Sequence, residues 1–296
     1  MKTNLNSGNI KERTWLITGA SSGLGRNIAE AVLASGHRLV ATARDPRRLE
    51  DLVKKYGDQI RTASLDVSDE NAAQASVQVA IDAFGRLDVV VNNAGYGDIA
   101  PFEQLSSDRF KALMDTNFYG VVNVTRAALP IMRRQKSGCI LRISSVGGRL
   151  ARPGSTGYHA AKWAVGGFTE SLAQEVAPFG VKVCALEPGG MRTNWGFRAN
   201  KETPVLLSEY EPSVGAVIKA LASYWGNEIS DPAKVAQLIL MLADRDHLPA
   251  HLLIGSDAVE FAGQAEVTRA AEAARWREVS VSTDFNASGP LPVMRF

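Results

Sequence analysis

The sequence predicts an α/β protein built on a doubly wound, mostly parallel sheet of about seven strands with helices on both faces. Three observations predict it. Short apolar runs alternate with helical patterns at the spacing of strand–helix–strand units. A glycine-rich turn, Thr18-Gly19-Ala20-Ser21-Ser22-Gly23-Leu24-Gly25, lies between the first apolar run and the first helical pattern. The composition, 45% hydrophobic and 22% charged over 296 residues, is that of a globular chain able to bury a sizeable core.

Each element has its own signal. Thr14-Trp15-Leu16-Ile17-Thr18 reads as a first strand, and Ile28 to Ala34 carries a helix closed by Gly36. Arg38–Thr42 is a second strand. Pro46 opens a helix that ends near Gly57, where glycine relieves the left-handed cap. Ile60–Leu65 is a third strand, Asp69 to Phe84 a helix stopped by Gly85, and Leu87–Val91 a fourth strand. Two long helices are expected around 107–135 and 156–177, with strands around 139–143 and 181–186 and a last strand at His251–Ile254. Right-handed crossovers place ligands at the carboxyl ends of such strands. The expected organisation is a polar tail at 1–12 and one catalytic domain at 13–260. That domain carries a lid insertion at about 191–230, and 261–296 form a helix and an irregular tail starting at Trp276.

Bulk properties exclude several classes. A net charge of +2 gives no electrostatic footprint for nucleic acid or an anionic membrane surface. No run reaches the ~18 apolar residues of a membrane span. Residues 1–12 lack an apolar signal core, so a cytoplasmic protein is expected. Cys139 and Cys184 sit in apolar strands and read as buried reduced thiols, and the four histidines have no metal-ligand spacing, so no metal is expected.

Chemistry concentrates in two places. Tyr158 and Lys162, four apart on a helix, share one face. A free phenol titrates near ~10, so ionising it at neutral pH costs roughly 4 kcal/mol, and a neighbouring ammonium offsets part of that. Ser145, thirteen residues upstream at a strand end, can hydrogen-bond the same reacting oxygen. This is a proton-transfer site for a carbonyl/alcohol pair, useful only beside a hydride donor. The glycine turn supplies the seat for one. Its glycines let the backbone approach a pyrophosphate, and the following helix offers free N–H groups and a positive dipole end.

Arg44, ending the second strand nineteen residues after Gly25, favours a ribose 2′-phosphate through bidentate bonds where a carboxylate would favour a 2′-hydroxyl. Arg47 and Arg48 reinforce that field, and Asp45 points elsewhere. The cofactor expected is NADP rather than NAD.

Together these residues resemble the short-chain dehydrogenase/reductase family, over about residues 13–260 and with the motifs in the family's order. The resemblance implies a Rossmann fold and a residue-by-residue assignment. The stretch Thr18–Gly25 (with Gly19, Ser21, Ser22, Gly23, Leu24 and Gly25) is the cofactor fingerprint, and Asp66-Val67 meets the adenine ring. Asn92-Asn93-Ala94-Gly95 steadies the sheet and lines the cofactor, and Pro188-Gly189 with Thr193 covers the nicotinamide. Asn117, Ser145, Tyr158 and Lys162 form the catalytic tetrad. In that assignment Tyr158 is the acid/base, Lys162 lowers its pKa and binds the nicotinamide ribose, Ser145 orients the carbonyl, and Asn117 holds a relay water. The family also implies a homodimer or homotetramer through the helices around 107–135 and 156–177.

Neighbouring residues read as structural. His159 sits one step round the helix from Tyr158, and Glu187 is a buried, paired carboxylate. Trp195, Phe197, Tyr210, Tyr224 and Trp225 in the insertion, with Tyr96 and Phe102, either line a largely apolar substrate cleft or form the insertion's own core. Arg192 and Arg198 are alternative contacts for an anionic group. The leading function is NADPH-dependent reduction of a ketone or aldehyde. The alternatives are an NAD-linked alcohol dehydrogenase, a non-catalytic dinucleotide sensor, and a sugar-nucleotide epimerase or dehydratase, which would need a larger C-terminal domain.

Overall fold

A computed structural model describes residues 12–201 and 203–285. Residues 1–11 of the expected polar tail and 286–296 of the expected irregular tail lie outside the described residues. The strands are β1 (Thr14–Ile17), β2 (Arg38–Ala43), β3 (Ile60–Ser64), β4 (Val89–Asn92), β5 (Gly138–Ile143), β6 (Val181–Pro188) and β7 (His251–Ile254). They form one seven-stranded sheet in the order β3-β2-β1-β4-β5-β6-β7, every neighbouring pair parallel. The order reverses at β1, so the crevice for a ligand opens where β1 and β4 diverge.

Alternation along the strands feeds two cores. Val89 and Val91 join one, Val90 the other. The first is covered by α1 (Gly23–Ala34), α2 (Glu50–Tyr56) and, later in the chain, Val235 and Ile239. The second is covered by α3 (Glu70–Phe84), α5 (Gly120–Gln135) and α6 (Thr156–Val176), while α4 (Ser107–Met114) precedes α5 and packs on α6. Local chemistry sets the ends. Asp69 accepts from the backbone of Asn71 and Ala72 to start α3, and Gly85, at φ +73°, stops it.

One departure from the sequence reading bears on function. The helix expected over 107–135 is interrupted by a π-helical turn at Asp115–Tyr119. Asn117 lies in that turn, fully buried. Such a turn widens the helix locally, which apolar periodicity does not register.

The insertion forms α7 (Trp195–Lys201) and α8 (Ala216–Tyr224) around a small core of Ile99, Ala199, Val214 and Leu221. The chain then runs through α9 (Pro232–Ala243) to β7, α10 (Ser256–Arg275) and α11 (Arg277–Val281). The tail expected to be irregular from Trp276 thus begins with a further helical turn. No Gly or Pro interrupts 264–285, and Trp276 Nε1 donates to Glu272 Oε1 at 2.8 Å across the junction. Cys139 and Cys184 are buried free thiols, pushed up by burial to about 11 and about 12. Among the described residues no helix is long and apolar enough to cross a membrane, and no cluster of metal-ligating side chains occurs.

Candidate active site

The glycine turn is held in shape from behind. Gly19 and Gly23 take φ of +65° and +56°, open to glycine without strain. Gly25 is glycine for another reason: a Cβ there would stand 2.4 Å from both Gly19 O and Asn93 Nδ2. Asn93 Nδ2 donates to Thr18 O at 2.9 Å, and the backbone amides of Asn93 and Ala94 both donate to Thr18 Oγ1 at 2.9 Å. Asn93 and Ala94 therefore brace the turn. Ser22 caps no amide of α1 with its side chain, so the first-turn N–H groups remain for a ligand. These features fit a dinucleotide pyrophosphate.

Except for Gly25, which stands behind the wall, every expected cofactor and catalytic residue lines one cleft of about 990 Å³. At one end lie Arg44, Arg48, Asp66 and Val67. Arg47 is not free to join them. It pairs with Asp45 through Nε at 2.8 Å and Nη2 at 2.9 Å, which also neutralises the carboxylate nearest Arg44 in sequence. Of the two reinforcing arginines only Arg48 faces the cleft. Ser68 donates to Asp66 Oδ1 through Oγ at 2.7 Å and N at 3.0 Å and lowers the Asp66 pKa.

The proton-transfer residues meet at the other end. Ser145 follows β5; its Oγ accepts from Gly147 N at 3.0 Å, and the hydroxyl is near enough to the Tyr158 phenol to draw its pKa down. Lys162 Nζ donates to Ile143 O at 2.8 Å and lies 5.5 Å from the Tyr158 ring centroid. Asn117 Nδ2 donates to Tyr96 O and Leu113 O at 2.9 and 3.0 Å, and its Oδ1 accepts from Tyr96 N at 3.2 Å. A Cβ on Gly95 would fall 2.7 Å from that Oδ1 and 3.8 Å from Lys162 Nζ, so Gly95 leaves Asn117 and Lys162 facing each other. His159 lines the same cleft, but its Nδ1 is held by donating to Gly147 O at 2.8 Å, and burial lowers its pKa.

The charge balance departs from expectation. Burial pushes the Tyr158 phenol up, and the opposing influences are the Ser145 hydrogen bond and the Arg152 cation rather than Lys162. Burial brings Lys162 itself down to about 8. The folded protein thus binds that proton less tightly than the unfolded chain, whose lysine titrates near ~10.4. Lys162 costs stability below pH 8, and the cost fades as pH rises towards the unfolded value. Lys162→Met should therefore stabilise the cofactor-free protein at pH 7 by about 1–3 kcal/mol and lose most of that advantage by about pH 10. Urea unfolding of both proteins at the two pH values checks this; an advantage that grows with pH would contradict it.

The insertion is tied to the Gly189-Gly190 turn by a residue that no motif signalled. Asp257, buried at the start of α10, accepts from Gly190 N at 2.7 Å and from Tyr224 Oη at 2.9 Å through the same oxygen. A Cβ at Gly189 would lie 2.3 Å from it. Thr193 Oγ1 accepts from Trp195 N at 3.3 Å, next to Gly23. Trp195, Tyr224, Trp225 and Tyr96 line the cleft, whereas Phe102 and Phe197 are exposed and Tyr210 bonds Glu103 at the surface. The insertion's aromatics serve as lining and as local core together. Arg192 and Arg198 lie with Arg48, Ser22 and Gly23 round a pocket at the phosphate end, away from Tyr158. Glu187 is buried and paired, taking Arg149 Nε at 3.0 Å and His251 Nδ1 at 2.7 Å.

Comparison with known proteins agrees with this geometry. Residues 13–203 match the family model described as short chain dehydrogenase. The chain is 45% identical over 272 residues to oxidoreductase BOA17 of Botryotinia fuckeliana, covering 92% of this chain and 99% of that one. The solved structure of a short-chain dehydrogenase from Streptomyces avermitilis superposes with a TM-score of 0.85 at 38% identity, over 93% of this chain and 100% of the other. The structure of ElxO with NADP bound superposes at 0.71, with 28% identity over 84% and 99%. On the strength of these matches, the chain belongs to the short-chain dehydrogenase/reductase family of NAD(P)-dependent oxidoreductases.

Proposed function

We propose that the protein reduces a ketone or aldehyde carbonyl to an alcohol, reversibly, with NADPH as the cofactor. The observation that carries this reading is that Tyr158, Ser145 and Lys162 share one cleft with the braced glycine turn. Bound NADPH would supply a hydride to the carbonyl carbon. Tyr158 donates its phenolic proton to the carbonyl oxygen, and burial that raises its pKa keeps the proton in place until then. Ser145 already accepts from Gly147 N, which leaves its O–H to donate to the same oxygen. Lys162 holds the nicotinamide ribose. Its ammonium, protonated below about pH 8 in the cofactor-free protein, is positioned by its hydrogen bond to Ile143 O. Asn117 Oδ1 has a second lone pair beyond its bond to Tyr96 N, available to a water that returns the proton by way of Lys162.

The choice of NADPH over NADH rests on Arg44 and Arg48 at the adenosine end, with Asp45 already neutralised by Arg47. Fluorescence titration should give NADPH the tighter binding, by about 10–100-fold for a charge-assisted phosphate contact. Arg44→Asp should reverse the preference. Tighter NADH binding by the unaltered protein would refute the cofactor assignment, and the absence of turnover across a broad panel of ketones, aldehydes and alcohols would refute the reductase.

A further inference from the structure

The cleft holds a cation that neither the cofactor nor the proton relay uses. Arg152 lies on the loop between Gly148 and α6, its residue exposed at the rim, and it lines the cleft together with Tyr158 and Tyr224. Partial desolvation lowers its pKa. The groups near enough to favour its charge are the two phenols, Tyr158 and Tyr224, with no carboxylate among them.

Three carboxylates of the same cleft have partners of their own. Asp257 accepts from Gly190 N and Tyr224 Oη. Glu228 accepts from Gly226 N at 2.9 Å. Asp98 holds Arg109 through Nε and Nη2. Among the described residues Arg152 has neither an ion pair nor a hydrogen bond through its side chain. A guanidinium on the cleft wall without a carboxylate partner keeps its paired donors available to a ligand anion. The rest of this end is apolar, with Leu150, Trp195, Leu221 and Trp225, and the Trp195 ring stands 5.2 Å from that of Tyr158.

Building on the carbonyl-reductase reading, we propose that Arg152 is a substrate-recognition residue, and that the substrate is a carbonyl compound with an apolar body and a carboxylate. The carboxylate takes the two-pronged guanidinium while the carbonyl oxygen meets Tyr158 and Ser145. The carboxylate is unchanged by the reaction: the carbonyl carbon gains the hydride and the oxygen gains the Tyr158 proton.

The test measures kcat/KM with NADPH for aryl keto acids of three chain lengths, each paired with its methyl ester. At least one acid should exceed its ester by about tenfold or more, as expected for hydrogen bonds to a charged group. In Arg152→Met that acid-over-ester ratio should fall by about the same factor through KM, and Arg152→Lys should restore part of it. The ratio is insensitive to a partial loss of folded enzyme, and NADPH titration reports the integrity of the cofactor half separately. No acid preference at any chain length, or a ratio unchanged in Arg152→Met, would overturn the assignment. So would equal losses on acid and ester with a shifted pH profile, which would make Arg152 a tuner of Tyr158. Failure of the underlying reading looks different: neither acids nor esters consume NADPH.

Discussion

Tyr158→Phe is expected to lower kcat/KM for any carbonyl substrate by about 10²–10⁴-fold, the range for loss of a positioned general acid, while NADPH binds as before. The substitution removes one oxygen and little else. The ring keeps its contact with Trp195 at 5.2 Å and its place 5.5 Å from Lys162 Nζ. What disappears is the hydroxyl that meets Ser145 and delivers the proton. Ser145 cannot replace it, because a serine hydroxyl is a far weaker acid than a phenol. Steady-state kinetics beside NADPH titration separates the two functions. Full activity in Tyr158→Phe would mean that the proton comes from elsewhere, and the assignment of the site would fail.

Gly25→Ala should have a large structural effect on the cofactor half. Its Cβ would stand 2.4 Å from Gly19 O and from Asn93 Nδ2. The first is backbone, and the second is the brace that holds Thr18, so neither is a flexible tip that can swing aside. Relief requires the turn to open. A loss of about 1–3 kcal/mol in unfolding free energy is expected, the usual penalty for overpacking, together with weakened NADPH binding because the pyrophosphate cradle itself shifts. Gly167 in α6 is the internal control. A Cβ there meets nothing within 4 Å, so alanine should be neutral or stabilise by about 0.4–1 kcal/mol. Denaturant unfolding of both variants checks the contrast, and equal midpoints for the two would contradict it.

Much of this molecule was legible in its sequence because periodicity and turn chemistry are local. Strand positions follow from short apolar runs, and Gly85 stops α3 where expected. Tyr158 and Lys162 share a face because four residues make about one helical turn. What escaped has a common cause: it depends on contacts between distant segments. Asp257 reaches Gly190 across 67 positions of sequence. Arg152 has no motif of its own and gains meaning only from the phenols around it. Arg47 and Arg48 look alike in sequence, yet the Asp45 side chain captures one and the cleft receives the other. The π-helical turn at Asn117 was hidden because a helix-like apolar pattern continues on both sides of it.

The strand order has a consequence for how the protein is made. β1, the earliest of the seven strands in the chain, ends mid-sheet, pairing with β2 from residue 38 and with β4 from residue 89. A nascent chain that has just released β4 and Asn93 already carries the glycine turn, its brace and Arg44. It carries none of the four side chains assigned to proton handling, the earliest of which is Asn117. Synthesis therefore delivers the seat for the nucleotide before the apparatus that uses it. The unpaired edge of β4 must wait, exposed, until β5 emerges some 50 residues later, which opens one window of vulnerability to misassociation between those two strands.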